Sequence, residues 1–463
     1  MNNNAVNSNN FIYNYASNLL LDLDVSTVLA DLQDFEKQTS AVAWSQSGAM
    51  WLTGDKQPLF LSAPLATCAR AVWLALRSVA SSSMDTRLEG FDAAFLLAER
   101  AGYMGLNRLA NTSAGGACRL LATADSYVAI NMARRSDWLQ LEALLCTDLE
   151  LRGNDQFDWQ QLTVALASQA TSELLERGRL LGMAIAPAMG DSFASSQWLK
   201  RYRCADIVKQ ESLLPLVIDL SSLWAGPLCT HLLQKLGARV IKVESINRPD
   251  GARSGNRDFY NILNNGKQSV ALDLKTELGV NQLKQLILQA DIVVEGSRPR
   301  ALRQLGIEAE QLLAAKPGLS WLSITGYGRD EPFCDWVAFG DDAGVGAGLS
   351  AQLYRQYGKW LFCGDAIADP LAGLHAALAA WVSWDAGGGQ LLDVSLCGVT
   401  THCIKSASDK YEIPLHESKG GFFFKSSGQD YQVQQPTMRT VDRLAPELGV
   451  DNEAIFLEFK IAC

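Results

Sequence analysis

Between residues 213 and 328 short β-prone runs alternate with helical ones, and no other feature constrains the fold as tightly. LPLVIDLSS (214–222) is apolar and β-prone. WAGPLCTHLLQKLGA (224–238) has helical spacing, with a Gly-Pro pair at its head and Gly237 as its stop; RVIKVE (239–244) is a second strand. Such a strand–helix–strand unit is expected to be parallel with a right-handed crossover. The pattern continues through the strand SVALDLK, the helix GVNQLKQLILQA, the strand DIVVEGS, the helical ALRQLGIEAEQLLAA and the strand LSWLSITGYG. This predicts an α/β fold with a doubly wound parallel sheet. Ligands of such sheets bind beyond the carboxyl ends of the strands, here near Ser221–Ala225, Glu244–Ile246, Glu295–Arg298 and Thr325–Gly328.

Upstream the texture differs. ACRLLATADSYVAINMA predicts a hairpin around Ala124–Ser126, and SDWLQLEALLCTDL and QLTVALASQATSELLERGRLLG predict helices, so residues 106–205 suggest a smaller α+β domain. RYRCADIVKQES (201–212) has the composition of a linker. The N-terminus, MNNNAVNSNNFIYNYASN, is polar and Asn-rich; residues 1–39 are expected to be a partly disordered lead without a signal peptide.

Composition narrows the function classes. Forty basic against fifty acidic residues leave the chain at −10, with no long basic run, which disfavours nucleic acid. No apolar run is long enough to span a bilayer. Ten cysteines lack CxxC pairing, and several sit in apolar helical contexts (Cys146, Cys229), as expected of reduced thiols in a cytoplasmic protein. Four histidines, His231, His375, His402 and His416, form no HxxxH or HExxH pair, so no metal site is expected.

GDAIADPLAGLHAALAAW (364–381) poses the chemical question. Asp369 precedes Pro370 at the head of an Ala/Leu-rich helix, where an aspartate suits the N-cap and a proline the first helical position. The same carboxylate could instead do chemistry. Asp365, four residues earlier, is a rival carboxylate expected to be a solvated loop residue, and His375 is expected to be packed in the core. A faint repeat relates residues 47–76 to 347–381: both carry Pro-Leu-Ala at the head of an apolar helix, with Ala63 where the later copy has Asp369.

Six segments in order then carry a resemblance. LVIDLSSLWAGPLCTHLLQKLGARVIKVE, NNGKQSVALDLKTELG, DIVVEGSRPRALRQLGI, ITGYGRDEP, ADPLAGLHAALAA and GGGQLLDVSL resemble the class III CoA-transferases, the CaiB/BaiF family of formyl-CoA and carnitine CoA-transferases, with the α-methylacyl-CoA racemases as cousins. RLAPELGVDNEAI is similar to that family's C-terminal return. The resemblance implies a Rossmann-like large domain, a smaller domain and often an interlocked homodimer. SAGGACRLLATADSYVAINMARRSDW and LLGMAIAPAMG look like the family's small domain, which normally follows the large one. Residues 40–205 are therefore expected to be a degenerate family copy including the small domain, joined by a linker at 206–212 to a large domain and C-terminal return at 213–463.

The resemblance implies an acyl-CoA:carboxylate CoA-transferase, with acyl-CoA and a free carboxylic acid as partners and Asp369 as nucleophile. A carboxylate attacking a thioester gives a mixed anhydride; CoA then returns to form an aspartyl-CoA thioester that passes CoA to the acceptor. The CoA contacts it implies are Trp224, Ala225, Leu272, Asp273, Lys275, Ser297, Arg298 and Arg303. Departures from the family pattern include the large Trp224, Gly296 and Ser297 in place of Asn-Phe/Tyr, Gln304 with Arg303 shifted by one, and Ser245 after Glu244. GGGQ (387–390) is expected to be a turn, and Lys419–Gly421 lies nearer the family's glycine loop. Two alternatives stay open: a racemase, disfavoured because VAFGDDAGVGAGL lacks the cousins' histidine, and a non-catalytic CoA binder.

Overall fold

In the computed structural model, the residues described are 8–30, 38–80, 91–148, 155–190, 195–208, 214–406, 413–418 and 420–462. The centre is a seven-stranded sheet. Its parallel strands are β5 (Leu216–Asp219), β6 (Arg239–Ser245), β7 (Gln268–Leu272), β8 (Ile292–Glu295), β9 (Ser320–Thr325) and β10 (Gln390–Ser395). Preceding them in the chain are β1 (Cys118–Ala122), β2 (Tyr127–Asn131), β3 (Ala184–Pro187) and β4 (Lys200–Arg203). The order across the large sheet is β4-β10-β9-β8-β5-β6-β7, with β4 alone antiparallel. The six parallel strands thus follow the doubly wound order 3-2-1-4-5-6 of the Rossmann arrangement, which reverses between β5 and β8.

Alternation along each strand divides the core in two. Val217, Val240, Ile292, Val294, Leu322 and Val394 face one layer, and Ile218, Ile241, Val270, Val293 and Trp321 face the other. On the first face lies the helix Ala368–Asp385, buried along almost its whole length. Gly373 lets it approach the helix Ala225–Lys235 closely: a Cβ there would stand 2.7 Å from the Ala225 carbonyl oxygen. The edge strand β7 is covered by the C-terminal return. Asn452 Oδ1 accepts the Ala271 N–H at 2.8 Å and its Nδ2 donates to the Ala271 carbonyl at 2.8 Å, while Asp451 accepts the Ser269 N–H at 2.7 Å.

The hairpin expected around Ala124–Ser126 is present as β1 and β2, and β3 adds a third antiparallel strand. Elsewhere the structure differs from expectation. Lys200–Arg203, with the composition of a linker, is an edge strand on β10: its intermediate–exposed alternation suits a strand half in water. Within the lead expected to be partly disordered, Ser8–Asp22 is a helix with Ile12, Tyr15, Ala16, Leu19 and Leu20 buried. Those positions recur at three- and four-residue spacing beneath the asparagines, a helical stripe. Tyr15 Oη bonds His375 Nε2 at 3.0 Å inside the Ala368–Asp385 helix, whose core packing of His375 is as expected. The helix Leu65–Val79 also packs on that long helix, so residues from the first half form part of its casing. Among the described residues no helix is long and apolar enough to cross a membrane.

Candidate active site

The Ala368–Asp385 helix starts one residue before Asp369, with Ile367 at its N-cap. Asp369 is therefore inside the first turn and is not the cap. Its carboxylate points instead at a second helix, Gly340–Gly346, and lies against the Gly340 backbone, whose N–H favours its anion. Only glycine fits there, because an added Cβ would stand 2.2 Å from Asp369 Oδ2 and 2.3 Å from the Ala366 carbonyl oxygen. The position within a helix's first turn favours the anion. Asp369 is partly exposed; of its neighbours Asp341 is too, while Asp342 and Asp365 are buried.

Those neighbours are other carboxylates. Asp341 accepts the Ala366 N–H at 2.8 Å. Asp342 accepts the Phe339 N–H at 3.0 Å and the Asn131 side-chain amide at 3.2 Å, a link from β2 of the small sheet. Asp365, expected to be solvated, is fully buried and held by a two-pronged pair with Arg100, one prong being Nε to Oδ2 at 2.9 Å. An aspartate in a loop can be buried when a guanidinium meets both of its oxygens.

This crowding raises the carboxyl pKa values. Burial is the main cause at Asp369, pushed up to about 7; Arg100 pulls it down, Asp341 up, the Gly340 N–H down and Asp365 up. Burial likewise takes Asp341 to about 6, with Asp365 adding and Arg100 opposing, and Asp342 to about 8. Arg100 goes the other way: burial works against its charge, yet Asp365, Asp341 and Asp369 hold it above its ordinary range.

Of the residues expected to meet CoA, Trp224 and Ala225 are buried, at 3% and 5% exposure. Trp224 meets Phe259 edge-on at 5.4 Å and carries Arg100 at 5.5 Å above its ring, so it lies beneath the carboxylate cluster. Leu272 is in the core. Asp273 receives a hydrogen bond from Asn247 Nδ2 at 2.7 Å, and Lys275 is exposed two residues on; both follow the carboxyl end of β7. Ser297 and Arg298 follow β8 at the point of strand reversal, where Gly296 comes close to Ser221. Arg303 faces elsewhere, paired with Glu310 at 3.2 Å. GGGQ is a turn whose three glycines all have positive φ. Gly420 and Gly421 head the hairpin of β11 (His416–Ser418), β12 (Gly421–Ser426) and β13 (Gln429–Gln432), and Lys419 lies outside the described residues.

Arg298 opens onto a cleft of about 930 Å³ between the small sheet's helices and the large sheet. Arg134, Arg179 and Arg300 also line it, with Trp336 and Asp335. Burial, then Arg300 and Arg134, lower the pKa of Arg298, Asp335 opposes, and Arg248 lowers it further. Arg134 also stands 5.9 Å from the ring of Phe339, the residue before Gly340, although Asp369 itself does not line the cleft. Sequence reasoning missed Arg100, Gly340 and Asp341. Gly340 and Asp341 stood in a segment notable for its missing histidine, and Arg100 in LLAERAGYM carries no local signal.

Residues 216–433, just under half of the chain, match the family model of CoA-transferase family III. It is 31% identical to the succinyl-CoA–D-citramalate CoA-transferase of Chloroflexus aurantiacus, over 43% of this chain and 52% of that protein. It is 28% identical to the succinate–glutarate CoA-transferase of Agrobacterium fabrum, over 42% and 54%. The chain thus spans about half the length of the curated relatives it matches. Among solved structures, it is similar to the Rv3272 protein of Mycobacterium tuberculosis at 26% identity, covering 48% of this chain and 64% of that one with a TM-score of 0.41. A CAIB/BAIF family protein from Brucella suis matches at 24% identity, covering 48% and 66%, with a TM-score of 0.38.

Proposed function

We propose that the chain is an acyl-CoA:carboxylate CoA-transferase with Asp369 as its nucleophile. The observation that carries this is the seating of a partly exposed Asp369 carboxylate against the Gly340 N–H, in the first turn of a buried helix. A carboxylate so held attacks the thioester carbonyl, forming the C–O bond of a mixed anhydride as the C–S bond breaks and CoA leaves as thiolate. The thiolate attacks the aspartyl carbonyl, releasing the donor acid and leaving an aspartyl-CoA thioester. The acceptor carboxylate repeats the exchange in reverse and departs as its own CoA ester. Helix N–H groups suit the oxyanion that develops at each step.

The match of residues 216–433 to CoA-transferase family III supports CoA as the group carried. Arg134, Arg179, Arg298 and Arg300 make the cleft suited to phosphates, and a polyanion there would relieve the mutual repulsion of its guanidinium groups. Asp273 and Lys275 follow the carboxyl end of β7, on the same side of the sheet as Arg298 after β8. We assign Trp224, Ala225 and Leu272 a supporting role under this surface, because they are buried. Segments beside the small sheet, Arg134–Gln140 and Ser172–Gly182, line one wall of the cleft, and this reading gives them the place of a small domain set upstream of the large one.

Incubation with a panel of acyl-CoA esters and free acids, read by mass spectrometry, tests the proposal. Transfer by the full chain and none by Asp369→Asn is the expected result. Binding of CoA without transfer for every pair would overturn it.

A further inference from the structure

Arg100 comes from the short helix Glu99–Met104, far outside the segment that matches the family, yet it enters the carboxylate cluster directly. Three features build a place for it. Its Nε and Nη2 grip both oxygens of Asp365. Its guanidinium lies over Trp224 at 5.5 Å. On the remaining side Gly115 leaves room, since a Cβ there would stand 3.1 Å from Arg100 Nη2. The cluster it serves holds Asp365 in the turn, Asp341 on the neighbouring helix and Asp369 itself, and Arg100 is the cation that acts on all three.

We propose that Arg100 is a positioning residue of the Asp369 site: by neutralising buried Asp365 from the N-terminal half, it keeps Asp369 presented as a free carboxylate. This rests on the reading of Asp369 as nucleophile. The logic is electrostatic. Asp365 sits four residues before Asp369, and an uncompensated anion there would favour the protonated, non-nucleophilic form. A bidentate guanidinium cancels that charge and leaves its remaining field on Asp369. The groups that face Asp369 are Arg100, Asp341, Asp365 and the Gly340 N–H, and Asp341 is in turn contacted by the Ser113 side chain and influences Asp342. Arg100 favours the anion; Asp341 and Asp365 oppose it. Substitutions at the two ends of one ion pair should therefore move Asp369 in opposite directions. A merely structural bridge would weaken the protein in the same way from either end.

The test uses the full chain labelled with carboxyl-13C aspartate, with the Asp369 resonance assigned by its loss in Asp369→Asn. In Arg100→Met the Asp369 titration midpoint should rise by about one pH unit or more, the scale expected for losing a close opposite charge. In Asp365→Asn it should fall, and in Arg100→Lys it should lie between wild type and Arg100→Met. The pH dependence of label formation from succinyl-CoA, trapped with hydroxylamine, should shift in the same order. Arg100→Met and Asp365→Asn both folded by circular dichroism, with the midpoint unmoved or moved the same way, would overturn the inference. Should Arg100→Met not fold, the directions in Asp365→Asn and Arg100→Lys decide. Because the carbon resonance needs no turnover, an Asp369 that titrates as described but never acquires label refutes the nucleophile alone.

Discussion

Gly340 and Asp369 are in direct backbone-to-carboxylate contact, at a separation that leaves no room for a Cβ on Gly340. Gly340→Ala should therefore displace the carboxylate or the Ala366 turn. The expected result is loss of most transfer activity, with destabilisation of about 1–3 kcal/mol from overpacking. Initial rates and a urea titration measure the two effects. Unchanged turnover in a stable Gly340→Ala protein would remove this contact from the account.

Activity should rise with pH through about 7, because the nucleophile proposed above must be ionised to attack and burial raises the Asp369 pKa to about 7. Stability should run the other way. Asp341, Asp369 and Asp342 have folded pKa values of about 6, 7 and 8, all above the usual aspartate value. Between roughly pH 4 and 8 the folded chain therefore holds protons that the unfolded chain has released, and stability falls as pH rises through that window. Asp342→Asn should flatten the upper part of this decline without moving the acid limb of the rate profile. Thermal melts from pH 5 to 9, paired with pH–rate curves, separate the two.

A second buried pair fixes the turn that leads to Trp224. Lys267 Nζ lies 3.0 Å from Asp219 Oδ2, both fully buried, and also donates to Thr230 Oγ1 and Asn264 Oδ1. Burial opposes ionisation of Asp219, but Lys267 and Lys242 together hold its carboxyl well below the usual range. Lys267→Met would strand that charge at a cost of about 3–5 kcal/mol. Denaturant midpoints should show the loss, and Asp219→Asn added to Lys267→Met should recover part of it. A loss under about 1 kcal/mol would show that the pair is not desolvated as described.

The doubly wound sheet was legible because its strands are continuous apolar runs separated by helical periodicity, a local pattern. Asp369 was singled out by its motif, but its setting was not legible: the Ala368 start moves it from the cap into the first turn, and its neighbour Gly340 lies 29 residues earlier in a glycine-rich segment. Asp365 has the composition of a loop aspartate, and only Arg100, 265 residues away, explains its burial. The Ser8–Asp22 helix was hidden because the run of asparagines masked the spacing of Ile12, Tyr15, Ala16 and Leu19. Non-local electrostatics left no sequence trace.

The two halves should behave as one folding unit. The Ala368–Asp385 helix packs on Leu65–Val79, Tyr15 bonds His375, and Arg439 joins Glu99 at 2.6 Å to His231 at 2.9 Å. A 213–463 fragment would expose that apolar helix face and lack Arg100. It should aggregate or be inactive alone and recover on co-expression with residues 1–212. Gel filtration and turnover of the two preparations check this; a soluble, fully active fragment would contradict it.

In the proposed reaction Asp369 forms the covalent bond to the acyl group. After incubation of the full chain with acyl-CoA donors, hydroxylamine should convert the activated Asp369 to a hydroxamate, a mass change confined to the peptide around Cys363–His375. Asp369→Asn should remain unlabelled while still binding CoA. Label at Asp365 instead, or tight acyl-CoA binding with no label across a broad donor panel, would contradict the account.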